Sequence, residues 1–66
     1  MLNNIEAERA RFRLTKNGLA RMVGVSQATY AKYINGTPMP SDVLLRLANI
    51  FGCTTDYLLG LTDKRN

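Results

Sequence analysis

No histidine and no tryptophan occur in this 66-residue chain, and cysteine occurs once, as Cys53. A single thiol cannot close an internal disulfide, and without histidine or a second cysteine no soft ligand set exists for zinc. Both staples that small folds commonly use are excluded, so stability has to come from an apolar core. Cys53 itself reads as a small buried hydrophobe, since nothing is available to activate a thiolate. Apolar runs are only a few residues long, far short of the ~20 that cross a bilayer. The opening stretch, MLNNIEAERAR, lacks the basic-then-apolar order of a signal peptide. The expectation is a cytoplasmic protein with no membrane partner. There is also no Cys–His pair, no phosphate-cradling Gly-rich motif and no plausible carboxylate dyad, so neither an enzyme nor a cofactor, metal or small-molecule ligand is expected.

A second absence is of acid over half the chain. From Arg9 to Ser41 there are six basic residues (Arg9, Arg11, Arg13, Lys16, Arg21 and Lys32) and no acidic one, a local charge of +6 within a net +4. One strongly positive half is the footprint of a polyanion binder, although a solvated basic face, or one that meets an acidic partner, would carry the same charge. Low-complexity tracts and internal repeats are absent as well, and the length allows one domain. We expect a single domain over residues 1–66, folded from about 3 to 61, with Lys64, Arg65 and Asn66 as a frayed tail.

What is present is organised around TKNGLARMVGVSQATYAKYING, Thr15 to Gly36. Thr15 is a good N-cap, Leu19, Ala20, Met22 and Val23 form an apolar stripe, and Gly24 supplies the backbone freedom to stop that helix. Ser26 caps the next one. In it Tyr30, Tyr33 and Ile34 fall at i, i+3, i+4, while Ala28, Ala31, Lys32 and Asn35 lie on the other side. One face is built to pack and the other to touch something. Gly18, inside the first of these helices, costs about 1 kcal/mol against alanine, so either something approaches closely there or the helix start is loose.

The flanks read as helices too. Asn3 and Glu6 have capping-box spacing for a helix from about Asn4 to Arg13, with Ile5 and Phe12 on its buried stripe, and Leu14 is placed to staple the turn before Thr15. Val25 is expected to be buried in the turn between the two central helices. Gly36 ends the third helix and Pro38 and Pro40 keep the following residues extended. Ser41 is expected to cap a fourth helix ending before Gly52, in which Leu44, Leu47, Ala48 and Phe51 make the cleanest amphipathic stripe in the chain. Thr54 caps a short fifth helix with Leu58 turned inward. Five short helices and no strand pattern give an all-α globule.

The run from Leu14 to Leu61 resembles the lambda-repressor/Cro-like (Xre-like) helix-turn-helix family. The matching features, in order, are Leu14-Thr15, Leu19-Ala20, Gly24-Val25-Ser26, Tyr33, Gly36, a proline near 38 to 40, Leu47-Ala48 and Asp56-Tyr57-Leu58-Leu59-Gly60. The resemblance implies a compact five-helix DNA-binding domain whose helices 2 and 3 form the helix-turn-helix, with helix 3 in the major groove. It implies double-stranded DNA as partner, bound by a homodimer, and a sequence-specific transcriptional regulator of repressor type. Residue by residue it implies base contacts from Gln27, Ala28, Thr29 and Lys32, and phosphate contacts from Thr15, Lys16, Ser26 and Asn35. The chemistry suits those positions. Glutamine pairs bidentately with adenine, threonine meets a thymine methyl, lysine donates to guanine, and free amides at a helix start hold phosphate.

Bland readings stand beside these. Thr15 and Ser26 serve as caps in any case, Gln27 and Lys32 are also ordinary exposed polar residues, and Tyr30 and Tyr33 read as core aromatics because they share a face with Ile34. The chain departs from the family pattern at three places. Lys16 stands where glutamine is common, Ala28 is short and uncharged, and Ile34 replaces a glutamate that pairs with an arginine matching Arg9. The last departure leaves Arg9 free for solvent or phosphate, with helix 1 held by apolar contact instead. A different class of function, a protein-interaction or antitoxin-like module whose basic face meets an acidic protein, fits the same fold.

Overall fold

The computed structural model, which describes residues 2–66, contains five α-helices, α1 (Asn3–Arg11), α2 (Lys16–Met22), α3 (Gln27–Ile34), α4 (Ser41–Phe51) and α5 (Thr55–Leu58). Three of them begin on a hydroxyl that turns back into its own first turn. Thr15, Ser26 and Thr54 sit in extended backbone and accept from the amides of Gly18, Thr29 and Tyr57 at 2.9, 3.1 and 3.1 Å. Each cap of this kind contributes about 1 kcal/mol. The requirement for Gly18 follows from the first of them. A Cβ there would stand 2.9 Å from the capping Thr15 Oγ1, so any side chain would have to displace the cap.

The helix ends share a second device, a left-handed residue just past the last turn. Among the described residues four of these are glycines, but after α1 the position is filled by Arg13 at φ 57°. There Arg13 donates to the carbonyl of Ala10 and Leu14 to that of Arg9, both at 3.0 Å, which closes the helix with the pair of bonds of a Schellman motif.

The core is Ile5, Leu19, Ala20, Val23, Tyr30, Ile34, Val43, Leu47, Phe51 and Leu58, drawn from all five helices. Fully burying one of the larger aliphatic side chains contributes about 1.5 to 3 kcal/mol. The expected α4 stripe holds at Leu47 and Phe51, but Leu44 and Ala48 are half-buried and Val43 carries the third buried position. Met22 is not part of the α2 stripe, being 52% exposed. Phe12 lies past the end of α1, largely open to solvent, and covers one side of Phe51 in a tilted pair with centroids 5.3 Å apart. Val25 and Tyr33 are half-buried.

Several expectations about the ends of elements are corrected. Asn3 is the first residue of α1 and not its cap; the cap position is Leu2, which makes no side-chain bond. What holds that start is tertiary. The Leu2 amide donates to the Ile34 carbonyl at 2.9 Å, and the Asn4 amide group donates to the Tyr57 carbonyl at 2.6 Å. Ser41 likewise lies inside α4, after Pro40, without a side-chain cap. Arg65 is not in a frayed tail. Its guanidinium donates to Glu8 Oε1 from Nε and Nη2 at 3.0 and 2.8 Å and to the Phe51 carbonyl at 2.5 Å, and its own carbonyl accepts from the Thr54 amide at 2.9 Å. Glu8, 2% exposed, is thus a buried ion on a helix that the sequence presents as polar apart from a narrow stripe.

Candidate nucleic-acid interface

α2 and α3 pack on each other through Leu19, Ala20 and Val23 on one side and Tyr30 and Ile34 on the other, all buried. The link between them is short because α2 ends in a Schellman turn at Gly24, φ 80°, from which Val25 donates back to Ala20 at 3.0 Å, and Ser26 already caps α3. The turn is braced from α4. Arg46 Nη1 donates to the Val23 carbonyl at 3.0 Å, and a Cβ on Gly24 would lie 3.2 Å from that same nitrogen. A cation at the negative end of α2 also opposes the helix dipole favourably. No local spacing signals this contact, which joins residues 23 apart in sequence.

With Tyr30 and Ile34 turned inward, the other face of α3 is left to solvent. Gln27, Ala28, Ala31, Lys32 and Asn35 are all exposed, with Ala28 and Lys32 one turn apart and Asn35 close to Lys32. Ala31 belongs to this face although it is outside the family-derived set. Thr29 is half-buried, and its hydroxyl oxygen accepts from Ser26 Oγ at 2.9 Å. The Ser26 hydroxyl is therefore engaged twice, as acceptor from the Thr29 amide and as donor to the Thr29 side chain, whereas the Thr29 proton remains available. Thr15 and Lys16 are exposed at the start of α2, and the Thr15 oxygen is occupied by its cap.

Beside that start lies a network that contradicts the expectation of a free Arg9. Arg9 Nε and Nη2 donate to the Glu6 carboxylate at 2.9 and 3.3 Å, and Nη1 donates to the Leu14 carbonyl at 2.8 Å. Tyr30 Oη donates to Glu6 Oε2 at 2.5 Å. The partner that Ile34 cannot supply comes from one turn away on α1, and a polar network joins apolar packing in fixing that helix. Burial pushes the Glu6 carboxyl up, but the bonds from Arg9 and Tyr30 and the positive charges of Arg9 and Lys16 outweigh it and leave it below its ordinary value. Burial, and then the Glu6 carboxylate, hold the Tyr30 phenol protonated well above its usual range. A cleft of about 140 Å³ opens here, lined by Glu6, Lys16, Tyr30, Ala31, Ile34 and Asn35.

Two short helices packed on each other, a braced glycine turn and one acid-free exposed helix face define a helix-turn-helix domain of the DNA-binding class. The helix-turn-helix family model matches residues 5–58, and the chain belongs to that family, in its lambda-repressor/Cro-like (Xre-like) form. It is similar to the uncharacterized HTH-type transcriptional regulator YobD of Bacillus subtilis (strain 168), with 36% identity over 52 residues. That match takes in 77% of this chain and 46% of the relative, so the chain spans less than half of YobD's length. The family is one of DNA-binding transcriptional regulators, and among the described residues no helix is long and apolar enough to cross a membrane.

Proposed function

We propose that this domain is a sequence-specific transcriptional regulator of repressor type that inserts α3 into the major groove and binds as a homodimer on half-sites about 34 Å apart. The observation that carries the reading is the outward face of α3, where Gln27, Ala28, Ala31, Lys32 and Asn35 stand exposed with no acidic neighbour on that helix. A groove about 12 Å wide admits one helix, and residues in its N-terminal half meet base edges most directly. Gln27, Ala28, Thr29 and Lys32 then read bases. Thr15, Lys16, Ser26 and Asn35 flank them as phosphate contacts, Thr15 and Ser26 through the amides that their caps organise, since both side-chain oxygens are already engaged.

Ala28 offers only close approach and apolar contact, which puts the weight of affinity on phosphates. Binding should then fall steeply with salt, by about 0.9 in log K per log salt for each phosphate neutralised. Titration of duplex DNA at several salt concentrations, followed by selection of bound sites from a random pool, tests this. A steep slope with a recoverable two-fold site is expected. Undetectable or salt-independent binding would remove the DNA reading in favour of a protein-interaction module.

A further inference from the structure

We propose that the Tyr30–Glu6 hydrogen bond is a positioning contact for recognition, setting the distance between the base-reading helix α3 and the start of α2; the inference rests on the DNA-binding reading above. Tyr30 anchors α3 from its buried face, at 2% exposure, and its hydroxyl reaches Glu6 of α1 at 2.5 Å. Glu6 is held in turn by the fork of Arg9, whose third nitrogen donates to the carbonyl of Leu14, the residue before the Thr15 cap. One unbroken chain of hydrogen bonds therefore runs from α3 through α1 to Leu14, the residue before the cap of α2. Its two ends lie beside the two kinds of contact that a groove reader must make at once, the α3 face and the Thr15–Lys16 start of α2.

Where α1, the start of α2 and α3 converge, a cleft lined by Glu6, Lys16, Tyr30, Ala31, Ile34 and Asn35 leaves room for movement, and the Tyr30–Glu6 bond lies in its wall. Functional constellations tolerate displacements of only about 0.5 Å, so releasing the bond is expected to blur base reading before it affects folding. Non-specific binding depends on charge near the surface and is indifferent to that displacement.

The test compares wild type, Tyr30→Phe, Glu6→Ala, Glu6→Gln and the Tyr30→Phe/Glu6→Ala double variant. Affinity for a duplex selected from random DNA and for an unrelated duplex is measured at several salt concentrations, with thermal unfolding alongside. Tyr30→Phe keeps the ring, and the expected result is a fall of about tenfold in the ratio of selected to unrelated affinity, with unrelated affinity and salt slope unchanged. Glu6→Gln retains an acceptor for the phenol and keeps most of the ratio, while the double variant loses no more than Glu6→Ala alone, the signature of a Tyr30 contribution made through Glu6. A wild-type ratio in Tyr30→Phe, or parallel loss on both duplexes, overturns the positioning role. Failure of the wild type to bind any duplex is a separate outcome, which removes the DNA reading and this inference with it.

Discussion

The half-buried Arg65 and the buried Glu8 form an ion pair at 2.8 Å across 57 residues of sequence, closing the C-terminal segment onto the first helix. Tyr57 Oη adds a third bond to the same carboxylate at 3.2 Å, and the Arg65 guanidinium also satisfies the Phe51 carbonyl at the end of α4. Arg11 reaches Glu8 only at 3.8 Å and from a side chain 60% exposed. Removing Arg65 leaves the buried Glu8 carboxylate with only the Tyr57 hydroxyl and the distant Arg11, whereas an exposed pair contributes little. Arg65→Ala is therefore expected to lower the thermal midpoint clearly more than Arg11→Ala. Circular dichroism melts of the two variants decide it, and equal losses would show the pair to be dispensable.

Acid should unfold the domain through Glu6 and Glu8. For each, burial raises the carboxyl, but for Glu6 the bonds from Arg9 and Tyr30, and for Glu8 those from Arg65 and Tyr57, together with the cations nearby, bring it below the ordinary 4.5. A folded value below the unfolded one means that the native state binds fewer protons. The stability so gained is complete above the ordinary 4.5 and is lost as pH falls through it to the folded values. Urea midpoints measured downward from neutral pH should fall steeply below that point, and Glu8→Gln should flatten the fall. An unchanged acid limb in that variant would place the pH sensitivity elsewhere.

Arg13 holds a left-handed backbone position at φ 57° where the other described helix ends use glycine. An L-residue there costs about 1 to 2 kcal/mol, partly offset by the greater unfolded-state freedom of glycine. Arg13→Gly is expected to raise stability by about 0.5 to 1 kcal/mol, read as a higher urea midpoint at an unchanged slope.

Gly18 gives a prediction whose sign depends on its neighbour. Glycine to alanine inside a helix normally gains about 1 kcal/mol, but here the new methyl would press on the Thr15 oxygen at 2.9 Å and disturb the cap. Gly18→Ala alone should yield no gain. In a Thr15→Ala background, which itself loses about 1 kcal/mol, it should recover much of that loss. Additive behaviour of the two substitutions in denaturation curves would show that the close approach carries no energy.

These cases mark what could be read in advance. The caps at Thr15, Ser26 and Thr54 and the glycine stops are encoded within three or four residues, so spacing reveals them. The same holds for the division of α3 into a Tyr30–Ile34 face and a Lys32–Asn35 face, from which the candidate interface was legible. Glu8–Arg65, Glu6–Tyr30 and Arg46–Val23 join residues 57, 24 and 23 apart, and no periodicity carries such pairings. Asn3 and Ser41 show the opposite error. Both have capping chemistry, but the chain places each one residue inside its helix, where Leu2 and Pro40 occupy the cap positions. Arg9 is not legible from the family pattern because the expected partner position is Ile34, while the actual partner, Glu6, sits on the same helix at i−3.

The division of the interface into readers and clamps can be tested directly. Lys32 and Gln27 stand on the exposed face of α3, Lys16 beside the start of α2. Lys32→Ala or Gln27→Ala should cost about 1 to 3 kcal/mol on a selected site and relax the base preference there, with little loss on unrelated duplexes. Lys16→Ala removes a charge and no base contact, so it should weaken all sequences alike and reduce the salt slope by about one. Ala28→Lys adds charge to a face proposed to read by close approach. It should tighten binding to unrelated DNA while narrowing the margin of the selected site, since affinity gained through phosphate is shared by every sequence. Fluorescence titrations of the four variants against both duplexes separate these outcomes. If Lys16→Ala and Lys32→Ala lose affinity in the same proportion on both, the two lysines act as one electrostatic surface and α3 reads no bases through Lys32.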